Sequence, residues 1–283
     1  MYNTSSADAI ALILLTNIIF FVVDLLNRIN SIETKTLNYI FNRSIYTSIF
    51  ALVWFFLSFE NIYYNNIFDL VQISAFSILC GLGFYFFILS NKYLNFTNIL
   101  FIQLVGHVLH QVFGLLIFDE SLSKYYIFTT ILLIIGIWVQ STIPNQKKGL
   151  LLALLSTISW TIGYSFMSVP LKNVSTPLSV LILEFSLLIF YYSLGVINSK
   201  NIKPNFLNGK KEILLCIALL TIFGSFLLNY TYKNYFISQI GYLNLIIMPI
   251  FIFISLRINK EKLSKKEIIS NTLILIAYAI SLL

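Results

Sequence analysis

The chain has 283 residues, 58% hydrophobic and 10% charged, with a mean hydropathy of +0.87 and a formal net charge of +7. Soluble domains carry about 25% charged residues, so this composition excludes an ordinary soluble enzyme and a disordered chain. The basic residues stand singly or in short groups between apolar runs, without the continuous stripe that tracks a nucleic-acid backbone, and the chain reads as an integral membrane protein.

A helix crossing hydrocarbon needs about 20 apolar residues. Runs of that kind occupy 7–26, 37–59, 67–90, 96–118, 124–143, 148–170, 176–198, 212–234, 236–258 and 266–283. They are continuously apolar, whereas the strands of a membrane barrel alternate, so the sequence predicts an all-α protein with ten transmembrane helices. The connections are short, the longest near 199–211, and none can hold a soluble domain. Residues Met1 to Ala7 lack Lys and Arg, so the first span is expected to be retained rather than removed as a signal. Cys80 and Cys216 fall inside spans and are expected to be buried thiols, not a disulfide or metal ligands.

Of the 18 basic residues, 14 lie in loops that follow odd-numbered spans, three lie in the other loops, and Arg43 lies within a span. Positive charge stays with the cytoplasm, which places both termini outside it.

A shift of 141 residues superposes the second half on the first. Glu120-Ser121-Leu122-Ser123-Lys124 falls on Glu261-Lys262-Leu263-Ser264-Lys265, Lys92 on Lys233, Gly83 on Gly224 and Thr16 on Thr157. Between Gly83 and Ser141, 13 of 59 positions are identical; because apolar sequences match often by chance, the polar matches carry the argument. The repeats are 1–143 and 148–283. Five spans per repeat is an odd number, so the second copy inserts upside down, and inverted repeats are characteristic of secondary transporters.

The third span closes on Ser90-Asn91-Lys92-Tyr93 and the fifth opens on Glu120-Ser121-Leu122-Ser123, with echoes in Tyr232-Lys233-Asn234 and Glu261-Lys262-Leu263-Ser264. This order resembles the repeat of the drug/metabolite transporter superfamily, EamA-like family, whose repeats carry an "alkY" stretch and a "gErls" turn; the likeness covers essentially the whole chain. It implies a multi-pass protein of the cell (inner) membrane that moves amino acids, nucleotide-like metabolites, amines or drugs, with no enzymatic activity and no cofactor. No glycine-rich loop ending in Lys-Ser or Lys-Thr is present to hold ATP. Two departures stand out. Pro249 in the ninth span is matched by Val108 rather than by proline in the fourth, and the family commonly keeps both termini inside, against the count of basic residues.

Polar groups inside a bilayer are costly and usually face a bundle interior or a watery cavity. In the fourth span Gln103, His107, His110 and Gln111 share one helix face about 100° wide. Gln103 aligns with Asn244 under the 141-residue shift, so both repeats can present a carboxamide, which donates and accepts, to a polar or zwitterionic ligand. Hydrogen bonding between helices is the competing role for such residues. His107 and His110 are too few ligands for zinc, and no metal site is expected. Trp160 and Tyr164, one turn apart in the sixth span, could wall a pocket for a cationic amine or a planar ring. Asn17 completes the candidate binding set. The candidate cavity is lined by spans one, three and four with six, eight and nine.

Asp24 sits near the end of the first span and is expected at the interface. Arg43 and Glu184 superpose under the shift, but inverted insertion separates them in depth by on the order of 10 Å, against a direct ion pair. Arg43 is expected to snorkel toward the interface. Glu184 is a candidate proton or cation site, and His107 a candidate for proton coupling because histidine titrates near neutrality. The sequence thus predicts a secondary-active transporter of a small polar metabolite (amino acid, amine or nucleoside-like), with proton coupling as an option. The alternatives are a flippase for a lipid-linked substrate and a membrane-embedded enzyme using His107 and His110; the latter lacks a nucleophile. The expected partners are a small-molecule substrate, the lipid bilayer and a second copy of the chain through the peripheral fifth and tenth spans.

Overall fold

With no water to bond exposed N–H and C=O groups, a chain inside a bilayer satisfies its backbone by helix or closed barrel, and continuous apolar runs select the helix. The computed structural model describes residues 6–32, 34–58, 61–119, 125–143, 146–198, 211–235 and 237–281. Among these it forms ten helices: α1 (Ser6–Ser31), α2 (Thr36–Leu57), α3 (Ile67–Ser90), α4 (Phe96–Phe118), α5 (Tyr126–Ser141), α6 (Lys147–Leu171), α7 (Thr176–Ile197), α8 (Lys211–Asn234), α9 (Ile237–Ile258) and α10 (Lys265–Ser281). The described residues contain no strand, only an isolated antiparallel bridge between Tyr64 and Val174. Helices α1, α2, α3, α4, α6, α7 and α8 are long and apolar enough to cross a membrane; α5 and α9 hold shorter apolar stretches, Ile127–Ser141 and Met248–Ile258.

The largest departure from the expected spans is α1, which continues five residues past position 26 to Ser31. The polar residues that looked like its end are bonded instead: Asn27 Oδ1 accepts from Tyr39 Oη at 2.7 Å, and Asn30 Nδ2 donates to the Leu26 carbonyl at 2.8 Å. Asp24 therefore lies two turns inside the helix, half-buried. Cys80 is buried as expected, but Cys216 is exposed on the outer face of α8; it departs from the expectation because the apolar surface of a span faces lipid as readily as a neighbouring helix.

The chain divides into two compact units, each drawing on both halves of the sequence: Met1–Tyr85 with Phe166–Tyr235, and Phe86–Ser165 with Phe236–Leu283. In the first unit α2 packs on α7 and α8, and α1 packs on α8. Close approach rests on Gly224, where an added Cβ would stand 3.1 Å from Ile19 and from the Phe20 ring. In the second unit α4 packs on α9, and α5 on α10. There Gly136 lies so near α10 that a Cβ would meet Ile274 at 2.8 Å, and Ser270 Oγ donates to its carbonyl at 2.8 Å. Small residues at such contacts let helices approach in lipid, where packing rather than the hydrophobic effect holds them.

The ends of α4 and α10 are tied together within the second unit. Residue Lys260, in the left-handed conformation at φ 49°, turns the chain after α9 and delivers Glu261 to the start of α4. Its two carboxylate oxygens accept the Phe96 and Thr97 backbone N–H groups at 2.9 and 3.1 Å, replacing the cap that Asn95 does not make with its own side chain. Ser264 and Glu267 form a capping box at α10: Ser264 N donates to Glu267 at 2.6 Å and Glu267 N to Ser264 Oγ at 3.3 Å. The other positive-φ residue outside glycine, among those described, is Asp119 at φ 54°, which is the counterpart of Lys260 under the 141-residue shift.

Glu261→Ala removes both acceptors from the first turn of α4 and is expected to cost about 1–2 kcal/mol, read as a lower unfolding temperature of the purified protein in detergent. Glu261→Gln keeps one acceptor oxygen and loses less. Equal stability in all three proteins would show that this carboxylate does not hold the turn.

Candidate functional site

Four of the expected binding residues lie on two adjoining helices of the second unit: Gln103 and His110 from α4, Trp160 and Tyr164 from α6. The helices touch at Gly106, where a Cβ would stand 2.7 Å from Thr161 Oγ1 and 2.8 Å from Thr157 Cγ2. The hydroxyls of Thr157 and Thr161 donate back to the carbonyls of Ala153 and Thr157, at 2.9 and 2.8 Å, so α6 can place them in the seam without an unpaired donor. One turn further along α4, His110 is 6% exposed and its Nδ1 lies 3.0 Å from Ser165 Oγ of α6. Trp160 packs obliquely on Phe87 at the end of α3, with ring centroids 5.5 Å apart. Gln103, Trp160 and Tyr164 are half-buried, and Ser156 Oγ, one turn before Trp160, is buried with no hydrogen-bond partner.

The side chains of His107, Gln111 and Asn244 lie outside the described residues, as does the whole Glu120–Lys124 turn. Asn17 and Glu184 belong to the first unit. Asn17 is half-buried and its Nδ2 donates to the Ile13 carbonyl at 2.7 Å.

Inside the first unit lies a second polar centre. Arg43, expected to reach for the interface, is 6% exposed: its Nη2 donates to Thr221 Oγ1 of α8 at 2.8 Å and its guanidinium covers the Phe84 ring, 4.3 Å from the centroid. Burial wins because a hydroxyl and an aromatic face together solvate the cation within the unit. Glu184 is 1% exposed; the hydroxyls of Thr47 and Ser225 bond its carboxyl, and Ser48 Oγ donates to its backbone carbonyl at 3.1 Å. Both Glu184 and Asp24 lie within electrostatic reach of Arg43. Neither makes a direct ion pair with it.

Several anchoring residues were not singled out by sequence. Asn98 Nδ2 and Gln146 Nε2 both donate to Glu267 Oε1, at 2.6 and 3.0 Å, and Asn271 donates to Asn98 at 3.2 Å. The Ser264-x-x-Glu267 spacing is the signal that could have placed this node at a helix start. Lys233, noted only as part of a duplicated motif, donates to the Val174 carbonyl at 2.9 Å and to the Tyr63 hydroxyl. It fastens the α2–α3 connection to the α6–α7 turn, where Ser175 N donates to the Tyr63 carbonyl at 2.9 Å.

Among the described residues, seven helices long and apolar enough to cross a bilayer mark a multi-pass integral membrane protein. Residues 147–283 match the model of the EamA-like transporter family, which places this segment in the drug/metabolite transporter superfamily. The same fold occurs in a protein of known crystal structure, 13% identical to this chain, with a TM-score of 0.60 over 94% of this chain and 96% of that one. A search of curated proteins finds no match.

The His110–Ser165 bond is expected to couple α4 to α6 by about 0.5–1.5 kcal/mol. A double-mutant cycle of His110→Ala and Ser165→Ala, measured by unfolding in detergent, reads this as non-additivity. Strictly additive losses would show that the two side chains do not act as a pair.

Proposed function

We propose that the protein is a secondary-active transporter that carries a small polar metabolite across the cell membrane by alternating access of two inverted five-helix repeats, 1–143 and 148–283. The observation that carries this reading is the pairing of equivalent helices: α2 with α7, α4 with α9 and α5 with α10, each five helices apart in the chain. The left-handed turns at Asp119 and Lys260, equivalent under the same shift, support it independently. An inverted pair of this kind has two exchangeable conformations, and these supply the inward-open and outward-open states.

The substrate site in this reading is built around α4 and α6 of the second unit, with Gln103 and His110 from α4 and Trp160 and Tyr164 from α6; His107 and Asn244 remain candidates from the sequence alone. Carboxamides suit a ligand with both donors and acceptors, and an indole face suits a planar or cationic group, so the substrate class is an amino acid, an amine or a nucleoside-like compound. The free hydroxyl of Ser156 beside Trp160 favours a polar rather than an apolar cargo. Glu184 and His107 are the groups through which a proton gradient would drive movement. The excess of basic residues in one set of loops favours termini outside the cytoplasm, whereas the habit of the family favours termini inside.

Gln103→Ala and His107→Ala are each expected to lower uptake or efflux at least about tenfold, the loss of roughly 1.4 kcal/mol of binding, at unchanged protein level in the membrane. Labelled amino acids, amines and nucleosides in proteoliposomes supply the measurement. Full transport in both variants would remove α4 from the site.

A further inference from the structure

The polar centre of the first unit contains more charge than its partners balance. Asp24 of α1 and Glu184 of α7 stand within electrostatic reach of one guanidinium, Arg43 of α2, a formal sum of one negative charge. Among the described residues the remaining titratable neighbours are Tyr39 of α2, Tyr191 of α7 and Cys80 of α3, beside which Tyr232 of α8 stands, and none of these contributes a positive charge. The neighbouring α8 residues Thr221 and Ser225 are neutral. Arg43 is committed elsewhere, to Thr221 and the Phe84 ring, and its Nε has no partner. Glu184 Oε2 is likewise buried with no partner, although Thr47 and Ser225 serve the carboxyl.

An ionised carboxylate offers about four lone-pair sites, and leaving one of its oxygens unpaired away from water is expensive. Adding a proton to that oxygen removes the charge and leaves only a neutral hydroxyl to satisfy, which costs far less. A metal cation fits poorly, because the guanidinium within reach repels it. We propose that Glu184 is a proton-binding site, one proton balancing two carboxylates against the single guanidinium of Arg43, which acts as the positioning residue. The proton is bound as an O–H bond on the carboxyl and released to water when the unit opens. This assignment rests on the transporter reading only for its use in coupling; the binding itself does not require transport.

Infrared difference spectra of the full-length protein in nanodiscs, taken between acidic and alkaline buffer, test it. The wild type is expected to show the carbonyl band of a protonated carboxylic acid, lost reversibly as pH rises. Isotopically labelled glutamate should shift the band in the unmutated protein, and Glu184→Gln should abolish it. Arg43→Gln should raise its intensity about twofold, because the second carboxylate then also takes a proton. A band that is absent from the wild type, insensitive to labelled glutamate, retained in Glu184→Gln or unchanged in Arg43→Gln overturns the proposal. The labelling arm needs no variant, so a misfolded mutant does not decide the result. If sodium instead raises the unfolding temperature of the wild type but not of Glu184→Gln, with no acid band, the site takes a metal cation and the proton is excluded. Absence of transport with the band intact overturns the transporter reading and leaves the proton site standing; transport without the band does the reverse.

Discussion

The structure depends on one constraint: every donor and acceptor that leaves water must find a partner inside the protein. The helices meet it for the backbone, and side chains meet it in two different ways. The hydroxyls of Ser77, Thr16, Thr157, Thr161, Thr221 and Thr231 donate to carbonyls four residues earlier in their own helices. Such residues can stand at a helix contact without asking anything of the neighbour. Guanidinium and imidazole have no such local option, and carboxylates reach beyond it, as Glu267 does when it caps its own helix and also accepts from Asn98 and Gln146. They fix which helix must lie beside which, as Arg43 does with Thr221 and His110 with Ser165.

The same constraint explains why the two units differ in character. Around Glu267 in the second unit the polar groups are numerous and mutually bonded, and they stand where α4, α6 and α10 begin. That is the arrangement of a structural fastening, since a mutually bonded network rigidifies what it joins, although Gln140 at its edge keeps one buried oxygen unpaired. The seam between α4 and α6 holds fewer polar atoms, with half-buried side chains and an unpaired hydroxyl. In the centre of the first unit Arg43 Nε and Glu184 Oε2 are buried without hydrogen-bond partners. Interhelical bonds in bilayers average only about 0.6 kcal/mol, so the poorly satisfied groups are better candidates for work than for holding the fold.

Helix positions were legible because hydropathy alone decides them: nine of the expected spans end close to the observed helices. The first was cut short because Asn27 and Asn30 look like loop punctuation until Asn27 is seen to accept from Tyr39 and Asn30 to bond back to Leu26. The burial of Arg43 needed Thr221, which lies 178 residues away, and no local pattern announces such a pairing. The helical face of Gln103 and His110 was readable from spacing, whereas its contact with α6 depended on Gly106, an unremarkable residue in sequence. Glu261 was visible as one of two matching turns, but the helix it caps begins 165 residues earlier, so its task could be read only in three dimensions. Cys216 shows the opposite limit, since an apolar helix does not declare which side faces lipid.

The turns at Asp119 and Lys260 share a backbone shape that costs an ordinary side chain about 1–2 kcal/mol, yet they carry opposite charges. Asp is one of the residues that tolerates the left-handed conformation well; Lys is not. In an inverted arrangement the two turns end up on opposite faces of the bilayer, and the lysine falls in the loop richest in basic residues. Shape and address are therefore written in different parts of the same residue: the backbone closes the helix, and the side chain tells the insertion machinery where to leave it. If the halves are inverted copies, as proposed, one architecture serves both sides of the membrane with only a handful of charge changes between its turns.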